Sequence, residues 1–246
     1  MMQIKEISKD YNNRAGYKIN LLKKISFEIG GSQIVSIIAP AGAGKSTLLK
    51  IISGLELPDG GEIINNGKII FIPSEPSSFP WLNVTQNVLF AVEDEKSVDL
   101  KKIINTVGLE GYETHYPHNK SLGFRFRISL ARSLAHKPLL ICLDEPFNKM
   151  DETTKAEILE LVRKVNHEFG TAFLLASGNI SEALFLSDVI YVMKKNPGEI
   201  FTKVNVELPR ERSLDIFNGE KFLQHRNNLE QIFKSNESNQ LLNISI

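Results

Sequence analysis

Ala39-Pro-Ala-Gly-Ala-Gly-Lys-Ser-Thr47 decides how this chain is read, because it lies between an apolar run, Ile34-Val-Ser-Ile-Ile38, and a segment with helical spacing. The helix is expected to open at Gly44, to carry Leu48, Leu49, Ile51 and Ile52 on one face, and to stop at Gly54. Small residues at Ala39, Ala41, Gly42, Ala43 and Gly44, together with Pro40, let successive backbone N–H groups turn inward on a polyphosphate. The helix N-terminus adds its partial positive charge. Lys45 would reach the β- and γ-phosphates, Ser46 would offer its hydroxyl to Mg²⁺, and Thr47 would close the loop. Ala39 departs from the usual pattern, which opens with Gly. The alternative is a Gly/Ala-rich turn that binds nothing.

A second segment points the same way. Leu139-Leu-Ile-Cys-Leu143 is a continuous apolar run of the kind buried on both faces of a sheet, and it ends in Asp144-Glu145-Pro146. Carboxylates leaving the C-terminal end of such a strand sit at the crevice where parallel α/β sheets bind ligands. Asp144 would hold Mg²⁺ through water beside Ser46, and Glu145 would polarise the water that attacks the γ-phosphate. The alternative is a strand-end turn with a solvated acidic pair.

About ninety residues separate these two elements, far more than a βαβ crossover needs, so an insertion is expected. Its pattern is helical. Ser97 is the expected cap of a helix carrying Leu100, Ile103, Ile104 and Val107 and ended by Gly108. Ser121 is placed to cap the next, where Ile128, Ala131 and Leu134 form one stripe and Arg125 and Arg132 another.

In this order and spacing the segments resemble the ATP-binding subunits of ABC transporters, over nearly the whole chain. The resemblance implies an α/β fold: a P-loop nucleotide-binding core with a mainly parallel sheet, an N-terminal antiparallel β subdomain and an inserted helical subdomain. It implies one ATP-binding domain over 1–246, with 1–80 and 136–205 as core, 81–135 as helical subdomain and 206–246 as C-terminal helix and tail. ATP and Mg²⁺ are the implied cofactors, with Lys45 and Glu145 catalytic and with Ser46 and Asp144 at the metal. Tyr11 matches the aromatic that stacks on adenine; Tyr17 competes with it, and a lone surface tyrosine is the alternative. Ser121 and Gly123 match the signature segment that binds the ATP of a partner chain, and Asn148-Lys-Met-Asp151 matches the loop by which two such chains meet. Partners implied are a second ATP-binding chain, as homodimer or heterodimer, transmembrane permease subunits docked near Trp81, and indirectly a solute-binding protein. The place implied is cytoplasmic, peripheral on the inner face of the membrane. Pro80-Trp81-Leu82, Pro146-Phe147, Glu182-Ala-Leu-Phe-Leu-Ser-Asp188, Pro197-Gly-Glu-Ile200 and Leu208-Pro-Arg210 look most like the branch serving importers of nitrate, sulfonates, taurine and thiamine-precursor pyrimidines.

Three further departures fall at groups that act on the γ-phosphate or its water. The glutamine of the family falls at Ser74, the signature reads Lys120-Ser121-Leu122-Gly123-Phe124, and the switch histidine falls at Gly178. Ser74 is shorter than glutamine and lacks its amide, and Gly178 has no side chain to donate a hydrogen bond. Leu122 adds a branched group where a partner's phosphate must approach. Ser177 or Asn179 would be the local substitutes for the missing donor. Two functions therefore compete: an ATPase that powers an importer through ATP-driven dimer closure, and a nucleotide-gated subunit with little turnover paired with a second ATPase chain. An ATPase of DNA repair or chromosome structure is disfavoured, because no long coiled coil or large insertion is visible.

Lys+Arg and Asp+Glu are both 29, a formal net charge of zero, so no field for sequence-independent nucleic-acid binding is implied. Cys142 lies in a buried run and reads as a core thiol. No apolar run approaches the roughly twenty residues that span a bilayer, and Met1-Met2-Gln3-Ile4-Lys5 begins no signal peptide. Asp151 is placed to cap a helix that ends before Gly170, and apolar residues from Leu214 to Phe233 predict a C-terminal helix before a Ser/Asn-rich end expected to fray. The histidines at 115, 118, 136, 167 and 225 show no metal-ligand spacing.

Overall fold

In the computed structural model, which describes residues 1–12, 16–118 and 120–242, strands β1 (Met2–Asn12), β2 (Lys18–Ile29) and β3 (Ile34–Ile38) lead into helix α1 (Lys45–Ile52). Strands β4 (Gly60–Ile64) and β5 (Ile69–Ile72) precede the helices α2 (Val84–Val88), α3 (Leu100–Val107) and α4 (Leu122–Ala135). Then follow β6 (Leu140–Asp144), α5 (Glu152–Phe169), β7 (Ala172–Ser177), α6 (Ile180–Leu186), β8 (Val189–Lys194), β9 (Glu199–Asn205) and α7 (Glu220–Leu242).

The strands divide between two sheets. A three-stranded antiparallel sheet runs β2-β1-β4, and a six-stranded sheet runs β5-β6-β7-β3-β8-β9. In the second sheet every pairing is parallel except that of β8 with β9, which returns along the edge, so the sheet is mainly parallel as expected. The fully buried runs β3, β6 and β7 occupy the interior because both of their faces are covered. Their side chains alternate between two cores. Ile34, Ile141, Leu143, Phe173 and Leu175 join the cluster of the helical side, with Phe126, Phe147, Ile158 and Phe185. Val35, Ile37, Leu140, Cys142 and Leu174 face the other way, onto α1 and the antiparallel sheet.

This arrangement is the α/β class implied by the resemblance, and its details correct three expectations. Helix α1 begins at Lys45; Gly44 is its N-cap residue, in left-handed backbone at φ +91°. The cap of α3 is Asp99, whose carboxylate accepts from Lys102 N–H at 3.0 Å. Ser97 instead ends a short 3₁₀ turn, its hydroxyl donating to Asp94 O at 2.9 Å. An aspartate cap nearer the first apolar residue wins because its charged oxygen also favours the positive helix end. The C-terminal region opens with a separate 3₁₀ turn, Leu214–Asn218, and α7 starts only at Glu220. Phe222 and Leu229 of α7 are buried against the core. The helix continues to Leu242 into the Ser/Asn-rich end, whose last residues, 243–246, lie outside the described residues.

The cap assignment has a measurable consequence. Asp99→Ala lowers the unfolding free energy by about 1 kcal/mol, while Ser97→Ala stays within about 0.5 kcal/mol of wild type, both read from urea titrations. Equal losses in the two variants would return the cap to Ser97.

Candidate nucleotide site

The turn from β3 to α1 places residues 39–47 at the C-terminal end of the central parallel strands. Gly44 is required twice over: its φ is +91°, and a side chain there would meet Leu22 Cδ2 at 2.6 Å. Ala39 and Ala43 are buried. Lys45 curls back over the turn. Its ammonium donates to Ala39 O at 3.0 Å and lies 3.1 Å from Glu145 Oε1, with the lysine side chain 5 % exposed.

Asp144 and Glu145 leave the end of β6 beside it. Ser46 donates its hydroxyl to Asp144 Oδ1 at 2.9 Å. Burial pushes the Asp144 carboxyl above the usual carboxylate range, opposed by the Ser46 hydrogen bond. Glu145 sits in left-handed backbone at φ +45°, a conformation that non-glycine residues adopt at a cost and that clusters at functional sites. Its N–H donates to Ala176 O at 2.9 Å, and its second carboxylate oxygen accepts from the Asn148 amide. Lys45–Glu145 and Ser46–Asp144 thus form two pairs that adjoin along the chain. With carboxylate and hydroxyl oxygens facing each other, the Ser46–Asp144 pair has the hard-donor chemistry that suits Mg²⁺.

Tyr11 lies close to the other end of the loop. Its hydroxyl is hydrogen-bonded to the Glu56 carboxylate, and Thr47 is also in hydrogen-bonding reach. Burial, then the Glu56 carboxylate, raise its hydroxyl above the ordinary tyrosine range. The Lys9 ammonium stands 5.5 Å from its ring centroid. Tyr17 is far more exposed, at 72 %.

A family model described as "ABC transporter" matches residues 22–148. The chain is also 34 % identical to an aliphatic sulfonates import ATP-binding protein of Bacillus cereus, over 95 % of this chain and 96 % of that one. The chain belongs to the ABC transporter family. It is an ATP-binding chain of that family, an ATPase coupled to transport. A second aliphatic sulfonates import ATP-binding protein, from Xanthomonas axonopodis pv. citri, is 37 % identical over 78 % of this chain and 82 % of its own. Among solved structures, a dimeric ATP-binding cassette in a post-hydrolysis state with ADP and Pi superposes with a TM-score of 0.71 at 26 % identity, covering 85 % of this chain and all, 100 %, of that one.

In this ABC chain the three departing motifs have distinct surroundings. Ser74 is half-buried just beyond β5, and its neighbour Glu75 pairs with Lys149 from the turn after Glu145. Gly178 is exposed beyond β7, where a side chain would meet no atom within 4 Å. The local substitutes are committed to holding the loop. Ser177 donates to Glu182 Oε2 at 3.0 Å and accepts from Asn179 N–H, while Asn179 Oδ1 caps α6 through Ser181 and Glu182. Glu182 is itself buried, and that burial raises its carboxyl pKa against the Ser177 hydrogen bond and the Lys155 ammonium 3.8 Å away. Ser121 caps α4, accepting from Phe124 N–H at 3.2 Å. Sequence spacing does not single out Asn148, Glu56 or Glu182 as contacts of this site. For Asn148 a signal existed: an amide three residues beyond Glu145 can reach back across the turn.

Gly123, in the first turn of α4, is constrained by its own chain. A side chain there would come within 2.5 Å of Thr154 Cγ2, and Thr154 is locked because its hydroxyl donates to Asp151 Oδ2 at 2.7 Å. Gly123→Ala therefore destabilises the protein by about 1–3 kcal/mol despite the better helix propensity of alanine. Thr154→Ser, which deletes the clashing methyl and keeps the hydroxyl, restores most of that loss in urea unfolding. Full stability of Gly123→Ala alone would mean the glycine answers only to a ligand.

Proposed function

We propose that this chain is the ATP-binding subunit of an importer for a small solute, hydrolysing Mg·ATP slowly and acting as a dimer. The observation that carries the reading is the two adjoining pairs, Lys45–Glu145 and Ser46–Asp144, at the mouth of the phosphate loop. On this reading residues 39–47 cradle the phosphates, Ser46 and Asp144 hold Mg²⁺, and Lys45 moves from Glu145 to the β- and γ-phosphates. Glu145, then released by Lys45, orients the attacking water, and Mg²⁺ held by Ser46 and Asp144 would supply charge neutralisation at the phosphate oxygens. Tyr11 provides the face for adenine. Ser121 and Gly123 of a second chain cover the γ-phosphate, since a helix N-terminus favours an anion across such an interface. The dimeric cassette solved with ADP and Pi supports this assembly, and the import proteins among the relatives support the direction of transport, with aliphatic sulfonates as the first solute class to try.

No helix among the described residues is long and apolar enough to cross a membrane. Attachment is proposed through permease subunits docking beside a groove of about 510 Å³ between β5 and α4, lined by Phe71, Phe79, Phe90, Arg132 and His136. Trp81, 70 % exposed, packs at a tilt against Phe79 of that lining, with ring centroids 5.5 Å apart. An aromatic exposed to this extent beside an apolar groove is the type of anchor that protein interfaces use.

Two measurements test the reading. Lys45→Ala weakens Mg·ATP binding by at least about tenfold in calorimetry, because each 1.4 kcal/mol is tenfold and an ammonium–phosphate contact is worth at least that. Equal affinities would refute nucleotide binding at this loop. Gly178→His with Ser74→Gln raises steady-state turnover by about 10²-fold, the usual worth of a transition-state donor, and leaves ATP affinity within a few-fold. The open space at Gly178 lets the histidine enter without displacing the chain. Wild-type turnover already typical of a robust ATPase would show that other groups do this work.

A further inference from the structure

The Glu145 carboxylate is held from both sides, with Lys45 Nζ on one oxygen at 3.1 Å and the Asn148 amide on the other. The two donors behave differently when nucleotide enters. The ammonium leaves for the phosphates, whereas Asn148 belongs to the same tight turn as Glu145, its backbone N–H directed at Glu145 O at 3.4 Å, and it stays. An asparagine that merely shapes a turn bonds backbone groups through its side chain. Here the side-chain bond runs to another side chain, and it aims the carboxylate.

The position matters because the other amide of the site is missing. Ser74 stands where the family pattern places glutamine, and Ser177 and Asn179 are both used up in the loop ahead of α6. The turn that carries Asn148 is tied to the Ser74 loop by the Lys149–Glu75 ion pair, so the two loops are neighbours. Resting on the ATPase reading above, we propose that Asn148 is the positioning residue for Glu145, supplying from the 145–150 turn the amide that Ser74 lacks. Its N–H holds one carboxylate oxygen while the other, released by Lys45, faces the attacking water. A charge-assisted bond of this kind fixes the orientation of a base.

The test uses the full chain with Mg·ATP, and reads kcat, KM and urea unfolding for wild type, Asn148→Ala, Asn148→Asp and Glu145→Gln. Asn148→Ala lowers kcat by about tenfold or more, the worth of one hydrogen bond to a charged group, with KM within twofold and the unfolding midpoint unchanged. Asn148→Asp, which keeps the shape but replaces the donor with a second carboxylate, loses at least as much. A kcat for Asn148→Ala within twofold of wild type overturns the proposal, as does an Asn148→Asp variant matching wild type. So does a loss carried by KM or by unfolding. A wild type that binds Mg·ATP but turns it over no faster than Glu145→Gln overturns it too. Failure to bind Mg·ATP at all sinks the nucleotide reading itself and is seen separately in calorimetry.

Discussion

The ion pair between Lys45 and Glu145 joins the start of α1 to the end of β6, and much of the site's behaviour follows from it. An ammonium at a helix N-terminus opposes the macrodipole, and a lysine this well covered cannot rely on water. It therefore needs an anion at this spot. In the structure Glu145 and the Ala39 carbonyl satisfy it. A polyphosphate carries more charge than a carboxylate and also meets the backbone N–H groups of the loop, so on the proposed reading it is the better partner. Nucleotide entry is then an exchange of counter-ions, and the exchange itself releases Glu145. On that reading, arming of the base is coupled to occupancy of the loop.

The same crevice explains why Asp144 and Ser46 belong together. On the proposed reading a cation there would offset the penalty that burial imposes on the Asp144 carboxyl, which is bonded to the Ser46 hydroxyl. Two carboxylates side by side repel, and the structure separates their roles by backbone. Asp144 ends a regular strand, while Glu145 turns into left-handed φ and points its side chain elsewhere.

Much of this was readable in the sequence, and the residues say why. Continuous apolar runs such as Ile34-Val-Ser-Ile-Ile38 and Leu139-Leu-Ile-Cys-Leu143 have few alternatives to a two-faced interior strand, and they fix the α/β class and where the charged residues emerge. Ser121 and Asp151 were legible as caps, because a short oxygen-bearing side chain precedes an apolar stripe. Ser97 failed because Asp99 competes two residues on, and one-dimensional spacing does not rank two oxygens. The antiparallel return of β9 was not legible, since an edge strand alternates whichever way it runs. Contacts such as Asn148 to Glu145, Tyr11 to Glu56 and Gly123 to Thr154 depend on χ angles and on loops meeting across the fold. Spacing along the chain carries no record of the last two, and for Asn148 it gives only an amide three residues on.

The positions of the family pattern fall into two physical kinds. Gly44 and Gly123 are hemmed in by Leu22 and Thr154, so the fold constrains them whether or not a ligand ever binds. Gly178 has open space around it and Ser74 is only half-buried, so the fold is indifferent to what stands there. A side chain that touches little besides its ligand can be lost without penalty to stability, and the loss is felt only in the step that needs it. Gly44 and Gly123, which the packing demands, are kept, while Ser74 and Gly178, where the packing demands little, depart from the pattern. Those changes therefore carry information about turnover and not about folding, and they direct attention to the groups still within reach of Glu145.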